Sequence, residues 1–514
     1  MVAKVGRRRF VQSTLAAAGG LWVPGRGLWA QPASPRAIPA SLPAISGAGK
    51  PLTLSAADLR DLRAGLKGRL LLPRDAGYDE ARRYWDSAFD RRPGLIVLAA
   101  DADDVVKAVQ FARSHELLTA VKAGGHCQIE KATACDGGMM IDLSPMRQVQ
   151  IDVPGSRVRA QGGVLLGDID RKSQAVGLAT TLGTATDTGI AGLTLGGGIG
   201  RLMRTFGLAI DNVVSAQIVT ADGKLRHLSA QDNPDLFWAI RGGGGNFGVV
   251  TAFEYRLHPL AHPVLAANGS YPYERTQEVL RAVRDLAAGM PDEMTLGAEL
   301  SNDERGRQVT WSGFYSGDPK QGERLLAPLR KLGKTLRERM SAESYLAAQG
   351  VPTNAPLAVP QAPASYERHG YVYGEPTDAL FDELARRFAT VPATMECFAS
   401  LGQFGGAVAR VRPEATAYWN RAASFGLLLG DSWQGRLQPE AIQKAYREVW
   451  SGLEPLTRGY YINGDSEVLE SRLRATYGEN YPRLVRVKNQ YDPTNLFRLN
   501  ANIKPAPDPR MTRG

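Results

Sequence analysis

Two glycine-dense segments about sixty residues apart constrain this chain more than any other feature. The first reads Lys122-Ala123-Gly124-Gly125-His126-Cys127. The second reads Thr188-Gly189-Ile190-Ala191-Gly192-Leu193-Thr194-Leu195-Gly196-Gly197-Gly198-Ile199-Gly200. Glycine lets a backbone approach a ligand closely and adopt positive φ, so that successive N–H groups converge on phosphate oxygens. A histidine beside such a loop is placed to hold what the loop has bound. From the residues alone, the pair predicts an anionic ligand cradled by closely approached backbone.

The flanking pattern excludes the better-known nucleotide folds. Gly243-Gly244-Gly245-Asn246-Phe247-Gly248 satisfies Gly-x-Gly-x-x-Gly, but a dinucleotide fingerprint follows a strand and opens a helix. Here Asp235–Arg241 reads as helix before the glycines and Val249–Leu257 as strand after them. A P-loop fails too, because Pro328 stands where Gly333-Lys334-Thr335 needs an upstream glycine. No Gly-x-Ser-x-Gly or His-Glu-x-x-His occurs, which leaves hydrolase readings unsupported. His258 and His262 have helical ligand spacing, but Pro259 between them breaks that geometry, so no metal is expected.

A chain of 514 residues exceeds what one core normally serves, and two domains are expected. The net charge of +10 falls to +5 once Lys4, Arg7, Arg8, Arg9 and Arg26 of the leader are set aside. Such a modest, dispersed charge does not point to nucleic acid. Three cysteines, Cys127, Cys135 and Cys397, form no disulfide framework. Gly6-Arg7-Arg8-Arg9-Phe10-Val11-Gln12 followed by a mildly apolar run resembles a twin-arginine signal over residues 1–30, implying a periplasmic or secreted bacterial protein. No other stretch reaches the roughly 18 apolar residues of a membrane span.

Residues 31–50, rich in Pro, Ala, Ser and Gly, read as a flexible linker, and Ser55 with Asp58 as a cap opening a helix over Ala56–Leu66. Leu95–Leu98 and Thr119–Lys122 read as strands around a helix over Asp103–Ser114, the second strand delivering the His126 loop. Residues 149–257 read as short strands around one glycine-rich core. Further on, Thr295–Leu300 and Val309–Tyr315 read as strands, and Pro376–Phe388 and Pro439–Leu453 as helices.

Several further segments complete a pattern. They are Tyr78–Phe89 with Trp85-Asp86, Cys135–Ser144, Gly207–Val213, Asp235-Leu236-Phe237-Trp238 leading into Arg241 and its four glycines, Tyr461-Ile462-Asn463, and Tyr491–Phe497. In this order the chain resembles the FAD-linked oxidases of the vanillyl-alcohol oxidase/p-cresol methylhydroxylase superfamily, in the berberine bridge enzyme-like branch. The resemblance implies an α+β fold: a linker and helix over 31–77, a PCMH-type FAD-binding domain of two subdomains over 78–263, and a substrate domain over 264–455 whose antiparallel sheet roofs the flavin. A segment over 456–510 would return to the FAD domain.

The resemblance also implies the site. Lys122, Ala123, Gly124, Gly125, His126 and Cys127 would meet FAD from the first loop. Thr188, Gly189, Gly192, Thr194, Gly197, Gly198 and Gly200 would meet it from the second, with Val249 and Asn463 from elsewhere. His126 would bond covalently to the flavin. Ala185 matches the cysteine that gives relatives a second bond, so a single link is expected, and Cys127 reads as a small filler. A glutamate base of plant relatives matches Ala422 in the strand-like segment Tyr418–Ser424. Tyr461 therefore becomes the catalytic candidate, with Tyr371 and Tyr373 behind it. The implied activity takes hydride from a C–H bond next to O or N of an alcohol, sugar or secondary metabolite onto flavin N5, with O2 or another acceptor completing the cycle. Two alternatives are a flavin-binding module without turnover, supported by the missing glutamate, and a flavin-free carbohydrate-binding protein, disfavoured by the glycine loops.

Overall fold

The computed structural model describes residues 37–352, 364–431 and 439–506, with Ala355, Leu357 and Val359. The twin-arginine segment lies outside the described residues. An N-terminal hairpin pairs β1 (Ser41–Ile45) with β2 (Pro51–Ser55). This corrects the expected linker: Leu42, Ala44 and Leu54 alternate into a core, and that period of two outweighs the Pro- and Gly-rich composition. Ile45 then docks through its N–H on the Gly137 carbonyl. Ser55 caps the next helix, Ala56–Gly65, in a capping box with Asp58.

A four-stranded sheet follows in the order β3 (Arg69–Leu71), β4 (Leu95–Leu98), β6 (Met139–Asp142), β5 (Thr119–Lys122), with β4 and β5 parallel to β6. Its central strands β4 and β6 are near-continuous apolar runs, as strands covered on both faces require. The helix Ala102–Ser114, capped by Asp101, covers one face through Val105, Ala108, Val109 and Ala112. The second sheet is antiparallel, in the order β11 (Leu225–Leu228), β10 (Val213–Val219), β12 (Val249–Arg256), β8 (Arg157–Gln161), β7 (Val149–Asp152). Residues 149–257 hold more than the expected strands. A helix runs over Leu166–Gln174, a short one over Ile190–Gly196 lies inside the glycine segment, and β9 (Leu178–Ala179) pairs with β13 (His258–Pro259).

From Val264 onward the chain builds a seven-stranded antiparallel sheet. Its strands are β14 (Val264–Pro272), β15 (Met294–Asp303), β16 (Gly306–Tyr315), β17 (Arg337–Glu343), β18 (Glu367–Tyr373), β19 (Cys397–Gln403) and β20 (Ala423–Asp431), in the spatial order β17-β14-β16-β15-β19-β20-β18. One face carries Leu296, Ala298, Leu300, Ala399, Leu401, Leu427 and Leu429, which pack on the helices Thr276–Ala287, Pro319–Arg330, Asp378–Thr390 and Pro439–Leu453. Because successive side chains alternate, the residues between them must face the other way, toward the glycine loops.

The chain beyond residue 456 comes back to the first half. Tyr460, Ile462, Leu484 and Ile503 share a core with Val158, Phe253 and Trp238. Asn246, in the glycine motif that failed as a dinucleotide fingerprint, accepts from the Ile503 N–H and donates to the Ala501 carbonyl. That motif clamps the C-terminal segment. Between the halves, the buried Arg204 reaches the carbonyls of Met294, Met290 and Phe404 and so fixes the sheet above the second glycine segment.

Candidate active site

One cleft of about 2720 Å³ separates the glycine loops from the polar face of the seven-stranded sheet. Pockets for drug-sized ligands run to about 300–1,000 Å³. This cleft therefore has room for a dinucleotide and a substrate together.

Its floor is where the two glycine segments meet. A Cβ placed on Gly124 would lie 2.4 Å from both N and Cα of Gly189, and one placed on Gly189 would lie 2.4 Å from the Gly124 nitrogen. Only glycine at both positions permits this backbone-to-backbone contact. Gly125 follows at φ +70°. The N–H groups of Gly124, Gly125 and Cys127 find no acceptor among the described residues. Gly192 also lines the cleft, and a Cβ there would meet nothing within 4 Å. Closely set N–H donors over open space form the kind of cradle that a pyrophosphate fills.

His126 stands at one end of the cradle. Its ring stacks on Trp85 at 4.4 Å between centroids, 21° from parallel. Nε2 is 3.8 Å from the Asp187 carboxylate, which the second segment supplies. Cys127 lines the cleft beside it, and burial pushes its thiol up to about 11, so it is an unreactive filler. The Lys122 ammonium is committed to Asp142 at 3.2 Å and to the Ala81 carbonyl at 2.6 Å. What Lys122 can give a ligand is therefore its backbone. Ala123, Thr188 and Val249 line the same cleft.

Thr194, Gly197, Gly198 and Gly200 sit outside the lining. Thr194 is turned into the core, its hydroxyl 2.8 Å from that of Tyr255. Gly197, at φ +134°, packs against Tyr418, while Cβ atoms on Gly198 and Gly200 would strike Ala209 and the Leu182 carbonyl. These glycines shape the turn from behind. Asn463 clamps it from the front, donating to the carbonyls of Gly192 and Leu193 at 3.1 Å each and to the Tyr461 hydroxyl at 3.1 Å. The Tyr461 oxygen also accepts from the Gly198 N–H at 3.1 Å. Burial raises the Tyr461 hydroxyl above the usual phenol range, against the opposing pull of Asn463 and these backbone donors. With both lone pairs engaged and the proton retained, Tyr461 faces the cleft as a donor.

The roof corrects the expectation about the base. Ala422 is exposed in a turn before β20, which starts only at Ala423, so a side chain there faces solvent rather than the cleft. Its identity says nothing about turnover, and the main support for a flavin-binding module without catalysis disappears. Tyr371 is fully buried and accepts from the Tyr418 hydroxyl at 2.8 Å, and Tyr373 donates to Asn420 at 2.7 Å; neither lines the cleft. Both are packing residues.

What the sheet presents instead is a set of cross-strand rows. Glu299, Ser400, Leu428 and His369 are paired in register across β15, β19, β20 and β18. The next row runs Ser301, Phe398, Gly430, Glu367, and the row on the other side contains Gly402 and Gly426. Glu299, Glu367 and His369 all line the cleft and went unnoticed in the sequence. The alternation Leu296-Gly297-Ala298-Glu299-Leu300 could have revealed Glu299. Both faces of β18 are buried, so no polarity pattern marked Glu367 or His369.

A backbone cradle for phosphate beside a stacked histidine, under a polar sheet wall, is the geometry of a site that holds a phosphate-bearing cofactor against a small substrate. Residues 93–229 match the model of an FAD binding domain, and residues 460–504 that of berberine and berberine-like proteins. The chain is 34% identical over 460 residues to (R)-6-hydroxynicotine oxidase of Paenarthrobacter nicotinovorans, covering 86% of this chain and 97% of that one. It is 29% identical over 466 residues to chitooligosaccharide oxidase of Gibberella zeae, covering 84% and 92%. Among solved structures, 6-hydroxy-D-nicotine oxidase of Arthrobacter nicotinovorans superposes with a TM-score of 0.77 at 30% identity, over 86% of this chain and 98% of that one. The chain belongs to the berberine bridge enzyme-like family of FAD-linked oxidases, and it is an FAD-dependent oxidoreductase.

Proposed function

We propose that the cleft oxidises a small alcohol, sugar or nitrogen-bearing secondary metabolite at a C–H bond next to O or N. FAD would be held by the backbone of residues 123–127, by Thr188, Gly189 and Gly192, and by a single covalent link from His126. The observation that carries this reading is the contact between Gly124 and Gly189, which joins the two loops into one cradle facing the sheet. Bound there, FAD supplies flavin N5 as hydride acceptor. The protein's residues do the rest. The Trp85 ring and Asp187 fix the His126 imidazole. Asn463 holds the second loop, and the Tyr461 hydroxyl hydrogen-bonds to the substrate oxygen or nitrogen and steers it. A carboxylate on the sheet side, Glu299 or Glu367, takes the proton the substrate loses as hydride leaves.

Relatives named for hydroxynicotine and for chitooligosaccharide support both an amine and a sugar as substrate class, and the word oxidase in those names supports dioxygen as the acceptor. The leader with Arg7-Arg8 supports export of the folded, flavin-loaded protein to the bacterial periplasm or beyond. Changing both arginines to lysine should leave a yellow protein in the cytoplasm, whereas normal export would refute that route. The activity is tested by anaerobic mixing with racemic 6-hydroxynicotine, cellobiose, chitobiose and coniferyl alcohol. Bleaching of the oxidised flavin band by at least one supports turnover, and Tyr461→Phe should slow it by on the order of 10²-fold. A flavin that none of them reduces would contradict the reading.

A further inference from the structure

His369 carries the inference. Its Nδ1 accepts the Tyr461 backbone N–H at 2.9 Å. An amide N–H can only donate, so Nδ1 keeps its lone pair and the neutral ring bears its proton on Nε2. Burial, with Arg472 nearby, lowers the ring's proton affinity to about 3, so the imidazole is uncharged. Its backbone is fixed on both sides: the His369 N–H donates to Asp465 at 3.1 Å and the carbonyl accepts from Arg472 at 2.9 Å. Tyr371 packs edge-on against the ring at 4.7 Å.

The side that remains is Nε2–H. The residue is 6% exposed and lines the cleft, and Nε2 makes no hydrogen bond among the described residues. In front of it two strand positions carry no side chain, and the Phe404 ring borders them. A Cβ on Gly426 would lie 3.0 Å from the Phe404 ring and 3.1 Å from Nε2, and one on Gly402, its neighbour across the strands, would meet nothing within 4 Å. Two paired glycines open a window in an otherwise close-packed sheet, and a rigid donor borders it. Buried donors are paired in the large majority of cases, so one aimed into a cavity marks the position of a ligand atom.

We infer that His369 is a substrate-holding residue, whose Nε2–H is a fixed, uncharged donor for a carbonyl or ether oxygen of a substrate lodged in the window beside Gly402 and Gly426. This rests on the reading that the sheet side of the cleft seats the substrate. It gives His369 a role that Tyr461 does not have. The ring cannot act as a base, because one nitrogen is occupied and the other already carries its proton. A substrate with an acceptor oxygen gains a partner there, while an apolar one of the same shape leaves the donor unpaired.

The test measures binding, so it does not depend on turnover. Acetophenone and ethylbenzene, a pair alike in shape and differing in the acceptor oxygen, are titrated into the aerobic holoenzyme and followed by the flavin absorption band. The ratio of their dissociation constants should favour the ketone about threefold to tenfold more in the wild type than in His369→Leu. His369→Gln, which retains a side-chain donor, should recover part of the preference. An unchanged ratio between wild type and His369→Leu, including no perturbation of the flavin by either probe, would overturn the inference. Independently of any variant's folding, the 15N histidine spectrum of the wild type should show His369 as the Nε2–H tautomer at pH 7. An Nδ1–H tautomer or an imidazolium would overturn it. A protein with the ketone preference that no substrate bleaches would instead refute only the proposed turnover.

Discussion

In a His126→Ala background, where no covalent link can form, replacing Gly189 with alanine should strip the protein of flavin before it unfolds the chain. The new Cβ would start 2.4 Å from the Gly124 nitrogen and 2.6 Å from its Cα, both backbone atoms that no rotamer change can move. Ordinary contact begins at 3.4 Å, so the loops must part by about 1 Å. Overpacking of this kind costs about 1–3 kcal/mol. In a chain this large, that lowers Tm by roughly 2–4 °C per kcal/mol or less. The larger effect falls on the cradle. Donors displaced by about 1 Å leave the 2.7–3.2 Å range, and each hydrogen bond to a charged group is worth about 1.5–3 kcal/mol. In the His126→Ala background, where FAD is held by these contacts alone, its affinity should thus weaken by roughly tenfold or more. The assay is the ratio of flavin to protein absorbance after purification, alongside the melting curve. Gly289→Ala serves as the control, since its Cβ would meet nothing within 4 Å on an exposed turn. Flavin content and Tm in Gly189→Ala/His126→Ala equal to those of His126→Ala alone would refute the cradle.

Four further outcomes are expected. Burial raises the carboxyl of Asp170 to about 7, against its hydrogen bond from Gln349, so the folded state binds the proton more tightly than the unfolded one. Stability carried by this group is full below about pH 4 and lost as pH rises toward 7. Asp170→Asn should therefore melt higher than wild type at pH 8, by on the order of 1–3 kcal/mol, and show no such gain at pH 4; an equal difference at both would refute the assignment. Arg421, 2.7 and 2.8 Å from Asp211 and fully buried, should cost about 3–5 kcal/mol when changed to alanine, whereas Arg386→Ala at an exposed pair should cost under about 1 kcal/mol, both read by denaturant midpoints. Cys127→Ser should keep its flavin, and wild-type Cys127 should resist iodoacetamide at neutral pH, because its thiol stays protonated. Tyr371→Phe should reduce its flavin at the wild-type rate in stopped-flow mixing, since its hydroxyl touches Tyr418 rather than the cleft.

Much of the architecture was legible because single local signals decide it. Thr119–Lys122 and Pro439–Leu453 match their strand and helix to the residue, and the Ser55–Asp58 box marks its helix start. The glycine loops and His126 were legible because backbone approach admits no other residue type. What stayed hidden depends on tertiary pairing. The Ser41–Ile45 hairpin looked like a linker because composition conceals a short alternation. Ala422 was misplaced because the start of β20 at Ala423 is set by pairing with Tyr373, which no local pattern near residue 422 reveals. Asp187 comes near His126 only through the contact of the two loops, and the row from Glu299 to His369 exists only through the register of four strands.

The central claim is that the cradle holds FAD and that His126 bonds to it. Peptide mapping of the purified, acid-precipitated protein tests this most directly. Trypsin should release a yellow peptide spanning Ala123 to Lys131 that carries one flavin on His126, and His126→Ala should yield a colourless peptide with its FAD in the supernatant. A wild-type digest in which that peptide is unmodified and all flavin is free, or in which the flavin is bound to Cys127, would contradict the account.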